Sequence, residues 1–95
     1  MSRRQKREKR WLRAAELALM LNAYGGDGGQ LAREMAGAAR RALDRAEPDE
    51  MEVYRLEFIE GMDLRMACDR SYQSKSSYYR RRGRLLRTVV EELKA

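Results

Sequence analysis

An all-α protein of about five helices is predicted by three features of the sequence. Ala, Leu, Glu, Arg and Met are abundant while Val, Ile and Thr are scarce, a bias toward residues that lose little freedom in a helix. Apolar side chains recur three and four apart through most of the chain, which lines up one helical face. Hydrophobic residues make up 43% and charged residues 38% of the 95, too apolar for disorder and too charged for a membrane protein.

Residues 1–10 (MSRRQKREKR) carry no apolar face and are expected to form a mobile basic arm, or a helix extension ordered only by a partner. Trp11, Leu12, Ala15 and Leu19 set a first helix over 11–23. Four glycines in 25–29 end it, because each makes helix continuation costly. A second helix covers about 30–46, with Leu31, Met35, Ala38, Ala39, Ala42 and Leu43 on one side, and Gly37 reads as a point of close helix approach. These two helices, 11–47, form an N-terminal pair.

Pro48 restarts the chain, with Asp49, Glu50 and Glu52 suited to the positive end of a third helix. That helix is expected to run to about Glu60, to bury some combination of Met51, Tyr54, Phe58 and Ile59 with Leu56 flanking, and to stop at Gly61. Asp63 is a good N-cap for a short fourth helix with Leu64, Ala67 and Cys68 inward. Ser71 to Gln73 form a turn. Ser74 caps a fifth helix from Lys75 to about Leu93, with Tyr78, Leu85, Leu86, Val89 and Leu93 inward.

Composition also excludes functions. One Cys and no His provide neither an internal disulfide nor a zinc set, and leave Cys68 without a base to activate it. No metal or cofactor is expected, and an enzyme is the least favoured class. The glycine loop follows a helix and lacks the Lys-Ser/Thr of a P-loop. The carboxylate pairs Asp49/Glu50 and Glu91/Glu92 sit at helix ends with no nucleophile, so no catalytic use is expected. Arg13 and Glu16 interrupt the only candidate leader segment, and no stretch is long enough to span a bilayer. A reducing, cytoplasmic location fits.

The net charge of +6 conceals a pattern. Residues 1–13 hold seven Lys or Arg and one Glu; residues 14–69 hold six Arg against twelve acids; residues 70–87 hold seven cations and no acid. Two basic ends therefore flank an acidic middle, and a polyanion is drawn to the ends. Within the second basic end, residues 61–80 have the layout of a helix-turn-helix: a stop, a capped short helix with the small residues Ala67 and Cys68, a turn, and a second capped helix. Small inward residues let the second helix pack closely while its first outward residues meet base edges. With Tyr78 inward, those outward residues are Lys75, Ser76, Tyr79 and Arg80.

The run EVYRLEFIEGMDLRMACDRSYQSKSSYYRRRGRLLRTVVEEL resembles the C-terminal part of ArpU-like phage transcriptional regulators, which are similar to region 4 of bacterial sigma factors. The helix ending Glu60-Gly61, the pair Ala67-Cys68 and the stretch from Ser74 to Arg80 with its two tyrosines carry the likeness, over roughly residues 48–95. The resemblance implies a sequence-specific binder of double-stranded DNA controlling phage or prophage genes, in the host cytoplasm. This chain departs from the family pattern at Ser71-Tyr72-Gln73, where the family has leucine, glycine and an aliphatic residue. Tyr72 cannot take a left-handed backbone as cheaply as glycine, so the turn is either built differently or ordered only by DNA.

The residues expected to contact DNA are Ser74, Lys75, Ser76, Ser77, Tyr79, Arg80, Arg82 and Arg84, with Arg3, Arg4, Lys6, Arg7 and Arg70 as auxiliary phosphate contacts. A homodimer, or a tether to RNA polymerase, would sharpen the selectivity of one small reading head. Two other readings stay open: a module docking on RNA polymerase or a sigma factor through the acidic third helix, and a small DNA-packaging accessory whose N-terminal helices build a ring.

Overall fold

The computed structural model describes residues 2–25 and 28–95, and among these the chain is five α-helices with no strand. Helix α1 spans Arg3–Tyr24, α2 Gly29–Asp44, α3 Pro48–Tyr54, α4 Leu64–Arg70 and α5 Lys75–Lys94. A π turn, Arg55–Ile59, continues α3.

The basic N-terminal segment is helix, not a mobile arm. The Ser2 hydroxyl accepts from the Gln5 N–H at 3.2 Å, and the Gln5 side chain accepts from the Ser2 N–H at 3.0 Å. This reciprocal pair satisfies donors that a helix start leaves open, so α1 begins at Arg3 rather than near Trp11. Gly25, at φ 55°, closes α1 by donating to the Leu21 carbonyl at 3.0 Å. Of the predicted glycine linker, Gly26 and Asp27 lie outside the described residues.

Three helices run side by side. Glu16 of α1 reaches Arg82 of α5 at 3.5 Å, and Trp11, earlier in α1, lies under the Lys94 ammonium at 5.0 Å from the ring centre. Helices α1 and α5 are therefore antiparallel. At the C-terminal ends of α2 and α5, Arg41 pairs with Glu92 and Arg45 with Glu91, both at 2.9 Å, so these two run the same way. Between them lie Ala15, Ala18 and Leu19 from α1, Ala39, Ala42 and Leu43 from α2, and Leu85, Leu86 and Val89 from α5. The run of alanines lets the backbones approach closely. Val53, Tyr54, Leu56 and Phe58 join the same cluster, as do Ala67 and Cys68. One continuous core thus joins the N-terminal pair to the C-terminal half.

Burial departs from expectation at three places. Leu31 stands 69% exposed on the first turns of α2, beyond the reach of the core. In the third helical segment Met51 and Ile59 are exposed while Leu56 and Val53 are buried. Tyr54 and Phe58 of the expected set are buried, and Leu56, three residues after Val53, joins them on one side of the helix. In the π turn the Glu60 N–H donates to the Arg55 carbonyl five residues back, at 2.8 Å. Gly61 then closes the segment at φ 72°, with the Met62 N–H donating to the Leu56 carbonyl at 3.0 Å. Gly37 is not a point of close helix approach, since a Cβ there would meet only Arg41 of its own helix, at 3.4 Å.

Candidate nucleic-acid interface

Both short-range caps expected of the α4–α5 pair are present. Asp63 accepts from the Met66 N–H at 2.8 Å, and Ser74 Oγ accepts from the Ser77 N–H at 3.2 Å. Between the helices Ser71 Oγ donates to the Cys68 carbonyl at 2.7 Å and accepts from the Gln73 N–H at 3.3 Å. Tyr72, at the centre of the turn, has φ 58° and is 93% exposed. It takes the left-handed conformation for which glycine is suited. The Tyr72 N–H donates to the Asp69 carbonyl at 3.3 Å, so the turn is closed with a non-glycine residue in the left-handed region.

Helix α5 is held in rotation by one buried network. Tyr78 is fully buried and donates its hydroxyl to Glu57 Oε2 at 2.8 Å. Arg82 Nε donates to both oxygens of the same carboxylate, at 2.9 and 3.1 Å, and its Nη2 lies 3.5 Å from Glu16. Burial, with the Glu57 carboxylate behind it, pushes the Tyr78 phenol well above its ordinary range. Burial of Arg82 opposes its charge, but the bonds to Glu57 and the nearby acids outweigh that and hold its proton more firmly. The π turn places Glu57 for this role.

With Tyr78 and Arg82 turned inward, the first turns of α5 present Lys75, Ser76, Tyr79 and Arg80 outward, all exposed. Lys75 Nζ lies 5.7 Å from the Tyr79 ring centre. Ser77 is half-buried and serves the helix start, and the Ser74 oxygen is committed to the cap. Arg70 is exposed at the end of α4. Alongside, an open concavity between α4 and α5 is bordered by Arg65, Asp69, Gln73, Lys75 and Tyr79. Arg65 was missed in the sequence, although an N-cap at Asp63 with Ala67 and Cys68 inward fixes it as outward-facing.

The basic cluster is not uniformly unpaired. Arg82 is spent on the Glu57 network, which corrects its assignment to the contact set: a desolvated guanidinium already neutralised by a carboxylate has little left for a phosphate. Arg81 binds Asp49 at 2.7 Å and also Gln73, while Arg84 lies 3.7 Å from the same Asp49 with half its side chain exposed. Acids of α3 and its π turn therefore relieve the repulsion expected within α5. Among the described residues Arg70, Lys75, Arg80 and Arg87 have no acidic partner. Arg3, Arg4, Lys6 and Arg7 are exposed on α1, with Arg4 paired to Glu8 at 3.4 Å.

Family models, curated proteins and solved structures yield no match to this chain. No helix among the described residues is long and apolar enough to cross a membrane.

Proposed function

We propose that the chain is a sequence-specific double-stranded DNA-binding protein that reads the major groove through a helix-turn-helix formed by α4 and α5. The observation that carries this reading is the capped start of α5. Part-buried bonds from Tyr78 and Arg82 to Glu57 fix its rotation, leaving Lys75, Ser76, Tyr79 and Arg80 outward on the turns that would meet base edges. Unpaired cations and the positive helix end supply attraction to phosphates without sequence information. A role in regulating phage or prophage genes follows from the resemblance to ArpU-like regulators and is part of the proposal.

Docking on RNA polymerase through the acidic third helix draws less support. Asp49 and Glu57 face α5 and are occupied by Arg81, Arg84 and Arg82, so much of that acidity is internal.

Selection from a pool of random duplexes tests the reading, with the Lys75→Ala/Arg80→Ala double variant beside the native chain. The native chain should enrich one motif; the variant should bind weakly and without preference while keeping its helical circular dichroism. Enrichment of the same motif by the variant would refute the assignment of α5.

A further inference from the structure

A second basic surface lies on α1. Lys6, Lys9, Arg10 and Arg13 follow one another at intervals of three, one and three residues, so they share a face of α1. They line a common shallow concavity. Each is exposed, and among the described residues none has an acidic partner; the acids Glu8 and Glu16 of α1 serve Arg4 and Arg82. Arg3 extends the same face, which spans about 15 Å from Arg3 to Arg13 at the helical rise per residue. That length covers about four phosphates of one strand at 3.4 Å of axis each.

Its location sets it apart. Because α1 and α5 are antiparallel, with Trp11 beside Lys94, the start of α1 extends past the end of α5. Lys75 and Lys94 are about 28 Å apart along α5, and the longest dimension of the molecule is 38 Å. The far half of α5 is flanked by α1 and α2 through Trp11, Leu12, Arg41 and Arg45, with Arg87 and Glu91 left exposed. Seen from Lys75 and Arg80, the Arg3–Arg10 part of the stripe therefore lies beyond the opposite end of α5, while Arg13 lies one turn from Glu16, the partner of Arg82.

On this basis we propose that one chain holds two duplex segments, one read through α5 and a second gripped without sequence preference by the Lys6–Lys9–Arg10–Arg13 face of α1. The inference rests on the DNA-binding reading of α5. The stripe favours a duplex backbone because its charge is spaced along a rigid rod, it has no apolar side for a lipid surface, and the one aromatic within its span, Trp11, is half-buried under Lys94 instead of free to stack unpaired bases.

The test is capture. A duplex carrying the selected motif is fixed to beads, loaded with the full chain, and offered a labelled duplex of scrambled sequence. The native chain should retain the labelled duplex. The variant Lys6→Gln/Lys9→Gln/Arg10→Gln/Arg13→Gln should hold the motif duplex within roughly twofold of the native affinity, with the same salt slope, yet retain roughly tenfold less of the second duplex. That retained affinity certifies the variant's fold.

Capture undiminished in this variant would overturn the proposal, by assigning bridging to a dimer of reading heads. Equal weakening on the motif duplex alone, with a shallower salt slope, would also overturn it, by placing both surfaces on one duplex. Preferential capture of single-stranded DNA or anionic vesicles over duplex would do the same. Failure of any motif to enrich sinks the reading of α5 instead and is seen before capture begins.

Discussion

Tyr72 shows how a single residue can conflict with the turn it occupies. Its side chain is almost wholly in solvent and its backbone is left-handed, so it contributes strain and little packing. Replacing Tyr72 with Gly should stabilise the chain by about 1 kcal/mol, since a left-handed non-glycine residue costs ~1–2 kcal/mol and added chain entropy in the unfolded state returns part of it. Urea unfolding measures this, and a destabilised variant would show that Tyr72 makes contacts the static geometry does not contain. The residue's identity signalled the conflict in the sequence. Which side would yield was not legible, because that depends on Ser71 bridging Cys68 to Gln73, a contact between hydroxyl and backbone that periodicity does not record.

At the scale of the element, Glu57 sets the rotation of α5. Its carboxylate is 7% exposed and takes the Tyr78 hydroxyl and the Arg82 guanidinium together. Glu57→Ala should cost about 3 kcal/mol, since breaking a buried pair strands a charge. Glu60→Ala, which removes the exposed partner of Arg55, should cost less than about 1 kcal/mol. Denaturant midpoints for the two variants separate these outcomes, and equal losses would refute the distinction. The caps at Asp63 and Ser74, the glycine stops and the apolar inward residues of α5 were legible in the sequence, because each is local chemistry; the cap at Ser2 was not. Nor was the π turn. Glu57 within it bonds Tyr78 and Arg82, so Arg82 was read as a DNA contact when its charge is used inside the protein.

Viewed whole, one core runs across residue 48, where the N-terminal pair meets the C-terminal region. The inner side of α5 packs against Ala15, Ala18 and Leu19 as well as Val53 and Leu56, and Arg41 and Arg45 tie its far end to α2. A fragment of residues 48–95 should therefore lose most of its helical circular dichroism and its cooperative thermal transition. A fragment that melts sharply would show that the C-terminal region folds without the N-terminal pair. The all-α class and the packing of the N-terminal pair on the C-terminal region were readable from composition and apolar faces, whereas the particular partners in the core were not, because sequence periodicity marks which side of a helix is apolar without naming its neighbour.

The cap at Ser2 gives the charged start of α1 a thermodynamic character of its own. An unstructured tail must surrender conformational freedom when it meets a polyanion; here that loss is incurred during folding, so each cation of the α1 stripe is already aligned. Clustered cations on one rod also repel each other along its axis, and dissolved ions mute that repulsion as they mute attraction to phosphate. Rising ionic strength thus firms this end of the helix while loosening its hold on a ligand, two opposite responses from the same side chains.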